Sequence, residues 1–306
     1  MDKHVIIAEI LDQLATQKSL IIREAEQAWL QCNFNLSEPE LVKSFALEQG
    51  KGVDYLNKNV AKVINSAQGR FAFKFAGIYT HQRPYIMRWS ENTKLHPSSN
   101  KSNKCELSDL MLLAVIVDQD KEIITSRATF FQAKKDDKIN NNTQQYLYDF
   151  DNGFDYASPS FWQATAKASP ERELPAWDDE RSTAFQYLIL RSTDRRAKLT
   201  PWKIDHSHGF GFYFYRLLTM ATGKLYLDKE KASGGWSSIV NDALRMGNGK
   251  MGGKNRGSFD LDKLVDHFNS FKDHDNYFYD SGEKEGFPII LAIIQDTENK
   301  VSNPKS

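Results

Sequence analysis

The chain contains 306 residues, and its 40 lysine and arginine residues are balanced by 40 aspartate and glutamate residues. Zero net charge argues against broad electrostatic capture of nucleic acid, although it allows a local basic groove. The longest purely apolar run, 110–117, is far too short for a membrane-spanning helix, and two cysteines cannot form a disulfide framework. These features predict a cytoplasmic protein without a membrane segment.

Helical periodicity dominates the first part of the chain. Apolar residues recur at helical spacing over 5–30, which is typical of one long helix or of two shorter ones. A capping box at 37–40 predicts the start of the next helix, and another helix is predicted over 53–67. We therefore expect a helical N-terminal segment over residues 1–68.

The pattern then becomes that of β-strands. Runs rich in aromatic and β-branched residues over 71–79 and 84–89 predict one hairpin, and a second hairpin is predicted beside it over 110–131. A further strand is predicted over 184–190. We expect the central part of the chain, 69–220, to form the core of the fold.

The C-terminal part, 221–306, combines two amphipathic helices with a late apolar strand over 287–294. Pro288 predicts that this strand lies at the edge of the sheet, because proline cannot donate to a central ladder. The sequence has no internal repeat and no clean linker. The pattern therefore favours a single α/β domain over 1–306, with a mixed central β-sheet flanked by helices.

The second hairpin carries the residues of chemical interest. A turn centred between residues 120 and 121 places Asp109 opposite Gln132, and opposed residues share a face with Cβ atoms about 5 Å apart. Period-2 alternation puts Lys134 on the same face as Gln132. A carboxylate, an amide oxygen and an ammonium are thus predicted to converge at one end of the hairpin, and a bulge would shift this register by one residue.

These three groups suit a divalent metal centre. Carboxylate and amide oxygens are hard ligands for Mg²⁺, which keeps several of its waters. A lysine beside the ion can orient or deprotonate a water and offset phosphate charge, as metal-assisted hydrolysis of a phosphodiester requires. In the alternative interpretation, Asp109 caps a buried strand, and Gln132 and Lys134 form an ordinary solvated strand end.

Over residues 105–135 the sequence resembles the PD-(D/E)xK nuclease superfamily in its QxK variant, as seen in Mrr-like restriction endonucleases. The likeness rests on Asp109, the apolar strand that follows it and the motif Gln132-Ala133-Lys134. The sequence departs from the family pattern in having Ser108 instead of proline and glutamine instead of an acid in the third motif. No upstream helical glutamate stands out as the family's further acid.

The resemblance implies a restriction-endonuclease-like core and Mg²⁺-dependent cleavage of double-stranded DNA, with Mn²⁺ able to substitute. It assigns Asp109 and Gln132 to the metal and Lys134 to the attacking water. It also implies a restriction or anti-phage defence role, in a homodimer or a larger defence complex.

A further acid is expected to complete the metal site. Glu106 can reach the metal if the strand begins only at Asp109, whereas strict alternation turns Glu106 to the opposite face. Among the glutamates of the N-terminal helices we prefer Glu48, because its helix closely precedes the sheet. For each of these helical glutamates, a solvated surface position is the alternative.

Several cations are candidates for contact with DNA phosphates. They are Lys101, Lys104, Lys135, Arg195 and Arg196. A second functional hypothesis is a non-catalytic, nucleic-acid-binding or sensing subunit of a defence complex that retains the nuclease fold. Zero net charge and the glutamine at position 132 both suit that alternative.

Overall fold

The structure is a computed structural model that describes residues 2–67, 69–80, 83–89, 104–135, 142–163, 166–177, 181–193, 195–200, 208–246, 250–251, 254–255, 260–269, 278–279 and 286–297. The fold is mixed α/β, with helices on both faces of a central mixed sheet, as the sequence predicts. No helix in these ranges combines the length and the apolar character needed to cross a membrane.

The N-terminal segment is helical, and further helices lie between and after the strands. The described α-helices are α1 (Lys3–Ala15), α2 (Lys18–Leu30), α3 (Glu38–Leu47), α4 (Gly52–Leu56), α5 (Lys62–Ser66), α6 (Asn142–Asp149), α7 (Pro159–Trp162), α8 (Arg181–Ala184), α9 (Phe210–Leu218), α10 (Trp236–Met246) and α11 (Leu261–Asn269). A π-helical turn, Asn57–Ala61, joins α4 to α5. The periodic stretch 5–30 therefore forms two helices, and the capping box at the start of α3 is present.

The strands in the described part of the chain form one large and two small sheets. They are β1 (Phe71–Tyr79), β2 (Tyr85–Arg88), β3 (Lys104–Glu106), β4 (Leu110–Val117), β5 (Ile123–Lys134), β6 (Gly153–Tyr156), β7 (Glu171–Glu173), β8 (Phe185–Arg191), β9 (Arg196–Thr200), β10 (His208–Gly209), β11 (Lys224–Tyr226), β12 (Lys250–Met251), β13 (Lys254–Asn255), β14 (Phe278–Tyr279) and β15 (Pro288–Asp296). The central sheet has the order β10-β9-β8-β5-β4-β15-β1-β14, and β11 also pairs with β5. The smaller sheet has the order β3-β2-β6-β7, and β12 pairs with β13.

Both faces of the central sheet are covered, which explains why β4 is apolar at every position. Leu110 and Leu112 belong to the face that packs against α1 to α5 and α9. Met111 and Leu113 belong to the opposite face, which packs against α6, α10, α11 and the smaller sheet. Alternation along β5 then places Gln132 and Lys134 on this second face, together with Phe130.

The register of the β4–β5 hairpin is the predicted one. Leu110 pairs with Phe131, and the pairing continues without a slip until a bulge next to the turn, at Val117. Because the bulge lies at the turn, it does not alter the far end of the hairpin. Asp109 and Gln132 therefore occupy opposed positions, one step beyond the last pair.

Two predictions about the strands are wrong. β15 is not an edge strand: it lies inside the central sheet, antiparallel to β1 and parallel to β4. Pro288 is the first residue of β15, where a missing N–H is tolerated even in a central strand. β1 and β2 do not form a hairpin, because β2 pairs with β3 and β6 in the smaller sheet.

Three side-chain amides cover the side of β1 that faces away from β15, and we call them the amide clamp. Each accepts a hydrogen bond from the N–H of one β1 residue and donates one to the carbonyl of that same residue. The pairs are Gln13 with Phe71, Asn65 with Phe73 and Asn57 with Phe75. Every second strand residue points its backbone groups to the same side, so the clamp replaces a neighbouring strand.

Candidate functional site

Asp109 lies where the chain crosses from the smaller sheet into β4. Its backbone N–H donates to the Phe131 carbonyl at 2.9 Å, and the Leu110 N–H donates to the Ser108 hydroxyl at 3.1 Å. That hydroxyl also lies 3.0 Å from the Phe131 carbonyl. These bonds fix the entry to β4 and hold the Asp109 side chain on the face that carries Gln132.

The Asp109 carboxylate and the Gln132 amide are in direct contact. Gln132 Nε2 donates to Asp109 Oδ2, and the Ala133 N–H donates to the same oxygen at 2.8 Å. Gln132 is only 1% exposed, and its Oε1 has no hydrogen-bond partner among the described residues. A buried acceptor without a partner is unfavourable, so Oε1 is available as a ligand oxygen.

Lys134 follows on the same face of β5 and is held by two helices. Its ammonium donates to Gln144 Oε1 of α6 at 3.0 Å and lies 3.9 Å from Glu38 Oε2 at the start of α3. Lys134 is only 6% exposed. Such partners are needed because an unpaired charge in a protein interior is strongly unfavourable.

Burial and neighbouring groups shift the pKa of Asp109 in opposite directions. Burial raises the pKa of Asp109 from its ordinary value of 3.8 to about 7. The Lys134 ammonium and the Ala133 N–H lower this pKa, whereas the negative charges of Glu106 and Glu38 raise it. Asp109 keeps partial exposure to solvent. A cation that approached from that side would favour the charged form of the carboxylate.

This raised pKa predicts how stability depends on pH in the presence of a metal chelator. The folded protein binds the Asp109 proton more tightly than the unfolded chain does, because the pKa of an aspartate in an unfolded chain is about 3.9. The contribution of Asp109 is therefore fully present below about pH 4 and is lost as the pH rises through about 7. One pKa unit corresponds to about 1.4 kcal/mol, and because Asp109 is partly solvated we expect a loss of about 2 kcal/mol.

The measurement is urea unfolding of wild type and of Asp109→Asn across this pH range. As the pH rises, the free energy of unfolding of wild type should fall relative to that of Asp109→Asn. Asp12→Asn, on the exposed face of α1, is the matched control and should follow wild type. An Asp109→Asn curve parallel to that of wild type would contradict the prediction.

Glu106 lies near the cluster but has a partner of its own. Its Oε1 accepts a hydrogen bond from Arg83 Nη1 at 2.7 Å, and it is paired with Tyr85 in the β2–β3 register. Its charge still acts on Asp109, as the raised pKa of Asp109 indicates. The prediction that Glu106 lies against the metal ligands is not met, because the ion pair turns its carboxylate to Arg83.

The preference for Glu48 is wrong. Glu48 follows the C-terminal end of α3, where its carboxylate pairs with Lys51. The other end of α3 reaches the site, about 15 Å away along a helix of 10 residues. Glu38 Oε1 accepts the Lys135 N–H at 2.8 Å while its Oε2 faces Lys134. Glu38 was not among the predicted site residues, although its position within the capping box indicates that it lies at the start of α3.

The cations predicted to contact DNA have different environments. Lys135 Nζ donates to the Leu36 carbonyl at 2.8 Å, and Arg195 donates to the Leu30 carbonyl at 2.5 Å. Both are thereby tied to the N-terminal helical segment, so they do not match the prediction of cations held ready for phosphate. Lys104 is exposed, and its ammonium lies 4.8 Å from the centre of the Tyr85 ring. Lys101 and the side chain of Arg196 lie outside the described residues.

A Mg²⁺ ion at this site would depend on Asp109 and Gln132. Within the described ranges, no three His, Cys, Asp or Glu side chains come together as a metal-binding group. Mg²⁺ is often held by only one or two carboxylates while it keeps several waters. One carboxylate and the unpartnered Oε1 of Gln132 fit a site of that kind, once the amide turns to present Oε1 instead of Nε2.

No protein-family model, no curated protein and no solved structure matches this chain. The geometry around Asp109 is thus the basis for a functional proposal.

Proposed function

We propose that the protein is a metal-dependent nuclease that hydrolyses phosphodiester bonds in DNA, with Mg²⁺ as its natural cofactor and Mn²⁺ as a substitute. The observation that carries this proposal is the meeting of three groups at one end of a hairpin. They are the carboxylate of Asp109, the amide of Gln132 and the ammonium of Lys134. Gln132 and Lys134 follow Asp109 by 23 and 25 positions in the sequence, and the fold brings all three to one face of the sheet. This arrangement suits metal-assisted hydrolysis of a phosphodiester.

The roles of the residues follow from their contacts. Asp109 and Gln132 Oε1 would hold the ion, which would supply Lewis acidity at phosphorus and a bound water of lowered pKa. Lys134, fixed by Gln144, would orient the attacking water and offset the charge that grows on the phosphate. The Ala133 N–H keeps one oxygen of Asp109 in place throughout.

The chain around the site supports the restriction-endonuclease-like core that belongs to this proposal. The β4–β5 hairpin is followed by α6, and the chain then returns in β8, which runs parallel to β5. A crossover helix between parallel strands places α6 against one face of the sheet. Gln144 of α6 meets Lys134 there, as part of the same site.

A cytoplasmic restriction or anti-phage role, exercised by a homodimer or within a larger defence complex, completes the proposal. Cleavage of both strands of a duplex by one centre per chain would require two copies. The balanced charge of the chain suits an effector that acts after activation instead of one that captures DNA indiscriminately.

Burial at the site favours one second candidate, a non-catalytic subunit that binds or senses nucleic acid. Gln132 and Lys134 are nearly inaccessible, and the partners of Lys134 are Gln144 and Glu38. Such a network would also serve as a rigid polar core. In that case the hairpin end stabilises the fold and the binding surface lies elsewhere.

A cleavage assay combined with metal titration separates the two candidates. Wild-type protein should nick and linearise supercoiled plasmid DNA with Mg²⁺ or Mn²⁺, and a chelator should stop the reaction. Asp109→Asn should lose cleavage and should bind Mn²⁺ at least about 10- to 100-fold more weakly, as measured by calorimetry. The exposed variant Asp12→Asn is the control and should match wild type. If wild-type protein binds DNA but neither cleaves it nor binds Mn²⁺ specifically, the non-catalytic candidate is established.

A further inference from the structure

The ion pair between Arg83 and Glu106 stands next to the proposed metal centre. Arg83 Nη1 lies 2.7 Å from Glu106 Oε1, and about a fifth of each side chain is exposed. Glu106 precedes Asp109 by only three residues, so the Cα atoms of these two residues are at most about 11 Å apart. A carboxylate side chain covers much of that distance, which places Glu106 within reach of the ion that Asp109 would hold.

The segment that joins Glu106 to Asp109 is firmly anchored. The Leu107 N–H donates to the Pro84 carbonyl at 2.8 Å, and the Leu107 carbonyl accepts the Tyr148 hydroxyl at 2.9 Å. Ser108 is tied to both hairpin strands. Because the backbone is held, a change in partner at Glu106 requires only a rotation of its side chain and no movement of the chain.

The surroundings of Arg83 are suited to an anionic ligand. Two tyrosines, Tyr79 and Tyr85, act electrostatically on Arg83, so both lie near it. The Lys43 ammonium lies 4.1 Å from the ring centre of Tyr79, and that of Lys104 lies 4.8 Å from the ring centre of Tyr85. Two ammonium groups therefore lie on the rings of the tyrosines near Arg83. Arginine also binds phosphate through two parallel hydrogen bonds, as it binds carboxylate.

We propose that Arg83 and Glu106 form a substrate-responsive latch at the proposed nuclease site. A phosphate of the DNA strand binds the Arg83 guanidinium in place of Glu106. The released carboxylate then turns to the metal ion at Asp109 and Gln132, where it supplies a second carboxylate ligand beside that of Asp109. Binding of substrate thereby completes the metal site. The latch rests on the proposed function and adds a substrate contact and a form of regulation to it.

The test is Mn²⁺ titration of the complete protein without DNA, combined with cleavage kinetics. Arg83→Ala should free Glu106 and tighten Mn²⁺ binding about three- to tenfold, because an added carboxylate ligand strengthens a hard-cation site. The same variant should raise the KM for DNA about tenfold or more, because one charged hydrogen-bond partner of phosphate is gone. Loss of a partly exposed ion pair costs little stability, so the variant should fold.

Two further variants exclude a general charge effect. Arg23→Ala removes an arginine from the exposed Arg23–Glu24 pair on α2 and should leave Mn²⁺ affinity unchanged. The double variant Arg83→Ala/Glu106→Gln should lose the gain in affinity, because the freed side chain is no longer an anion. A gain that persists in the double variant would overturn the latch and point to removal of positive charge alone.

Failure of the latch and failure of the nuclease proposal give different results. If wild type binds Mn²⁺ through Asp109 and cuts DNA, but Arg83→Ala changes neither Mn²⁺ affinity nor the KM for DNA, the latch is wrong and the nuclease stands. If neither wild type nor Arg83→Ala binds Mn²⁺ in a manner that depends on Asp109, both proposals fall. Asp109-dependent binding that emerges only in Arg83→Ala would support the latch, and DNA cleavage by wild type would then decide the nuclease proposal.

Discussion

Replacement of Lys134 by methionine is expected to slow DNA cleavage about a thousandfold while Mn²⁺ binding persists. Methionine has an unbranched apolar side chain of similar length, so the substitution removes only the ammonium, which is the group proposed to position water and offset phosphate charge. Loss of one preorganised electrostatic group typically costs an enzyme about 100- to 1000-fold in rate, and loss of proton-transfer assistance adds to this. Metal binding should be retained, since a positive charge beside the ion opposes its binding.

Lys135 provides the matched control for this experiment. It is the next residue along the chain, it carries the same charge, and its ammonium donates to the Leu36 carbonyl instead of the site. Lys135→Met should therefore cleave within about threefold of wild type, a small change typical of a surface contact. Thermal unfolding of both variants would show whether either loses its fold. A Lys134→Met protein that is folded and cleaves at the rate of Lys135→Met would remove Lys134 from the mechanism.

The hairpin was the most predictable part of the structure, for a physical reason. Two β-branched and aromatic runs joined by a short polar turn pair locally, and the turn sets the register for every later pair. Asp109 and Gln132 could be placed opposite each other because the one bulge lies at the turn end. The side-chain period of two then fixed the face of Lys134.

What the sequence could not supply depends on contacts between distant segments. Glu38 reaches Lys134 only because α3 packs across the sheet in one direction and not the other, and helical periodicity does not encode that direction. Arg83 and Glu106 meet because β2 and β3 pair in the smaller sheet. The position of β15 between β1 and β4 was likewise invisible, because a fully apolar strand is compatible with any buried place in a sheet.

The amide clamp on β1 also depends on contacts between distant segments, so the sequence pattern does not predict it. Gln13, Asn57 and Asn65 look like ordinary polar residues of amphipathic helices, yet each pairs with both backbone groups of one β1 residue. The pairing of β1 with β14 covers only Gly77 and Ile78. The clamp therefore provides hydrogen-bond partners for the backbone groups of β1 that no described strand reaches. Without these partners, the exposed N–H and C=O groups could pair with a strand of another chain.

Asn57 should be the residue of the clamp with the largest effect on stability. It is 6% exposed, and its Nδ2 donates to the carbonyls of Val53 and Phe75 while its Oδ1 accepts the Phe75 N–H at 2.9 Å. Both backbone groups of Phe75 would lose their partner in Asn57→Ala. Each unsatisfied buried group costs about 1–3 kcal/mol, so we expect a loss of about 3–5 kcal/mol in the free energy of unfolding, measured by urea denaturation.

Two further variants identify the cause of that loss. Asn57→Leu restores the volume without the hydrogen bonds, so it should be as unstable as Asn57→Ala if unsatisfied backbone groups and not a cavity are responsible. Asn59→Ala is the matched control, because Asn59 lies in the same π-helical turn and its Nδ2 donates to the Tyr55 carbonyl of its own helix. That single, partly exposed bond should be worth about 1 kcal/mol. An Asn57→Leu protein as stable as Asn59→Ala would mean that water satisfies the edge of β1 and that the clamp only fills space.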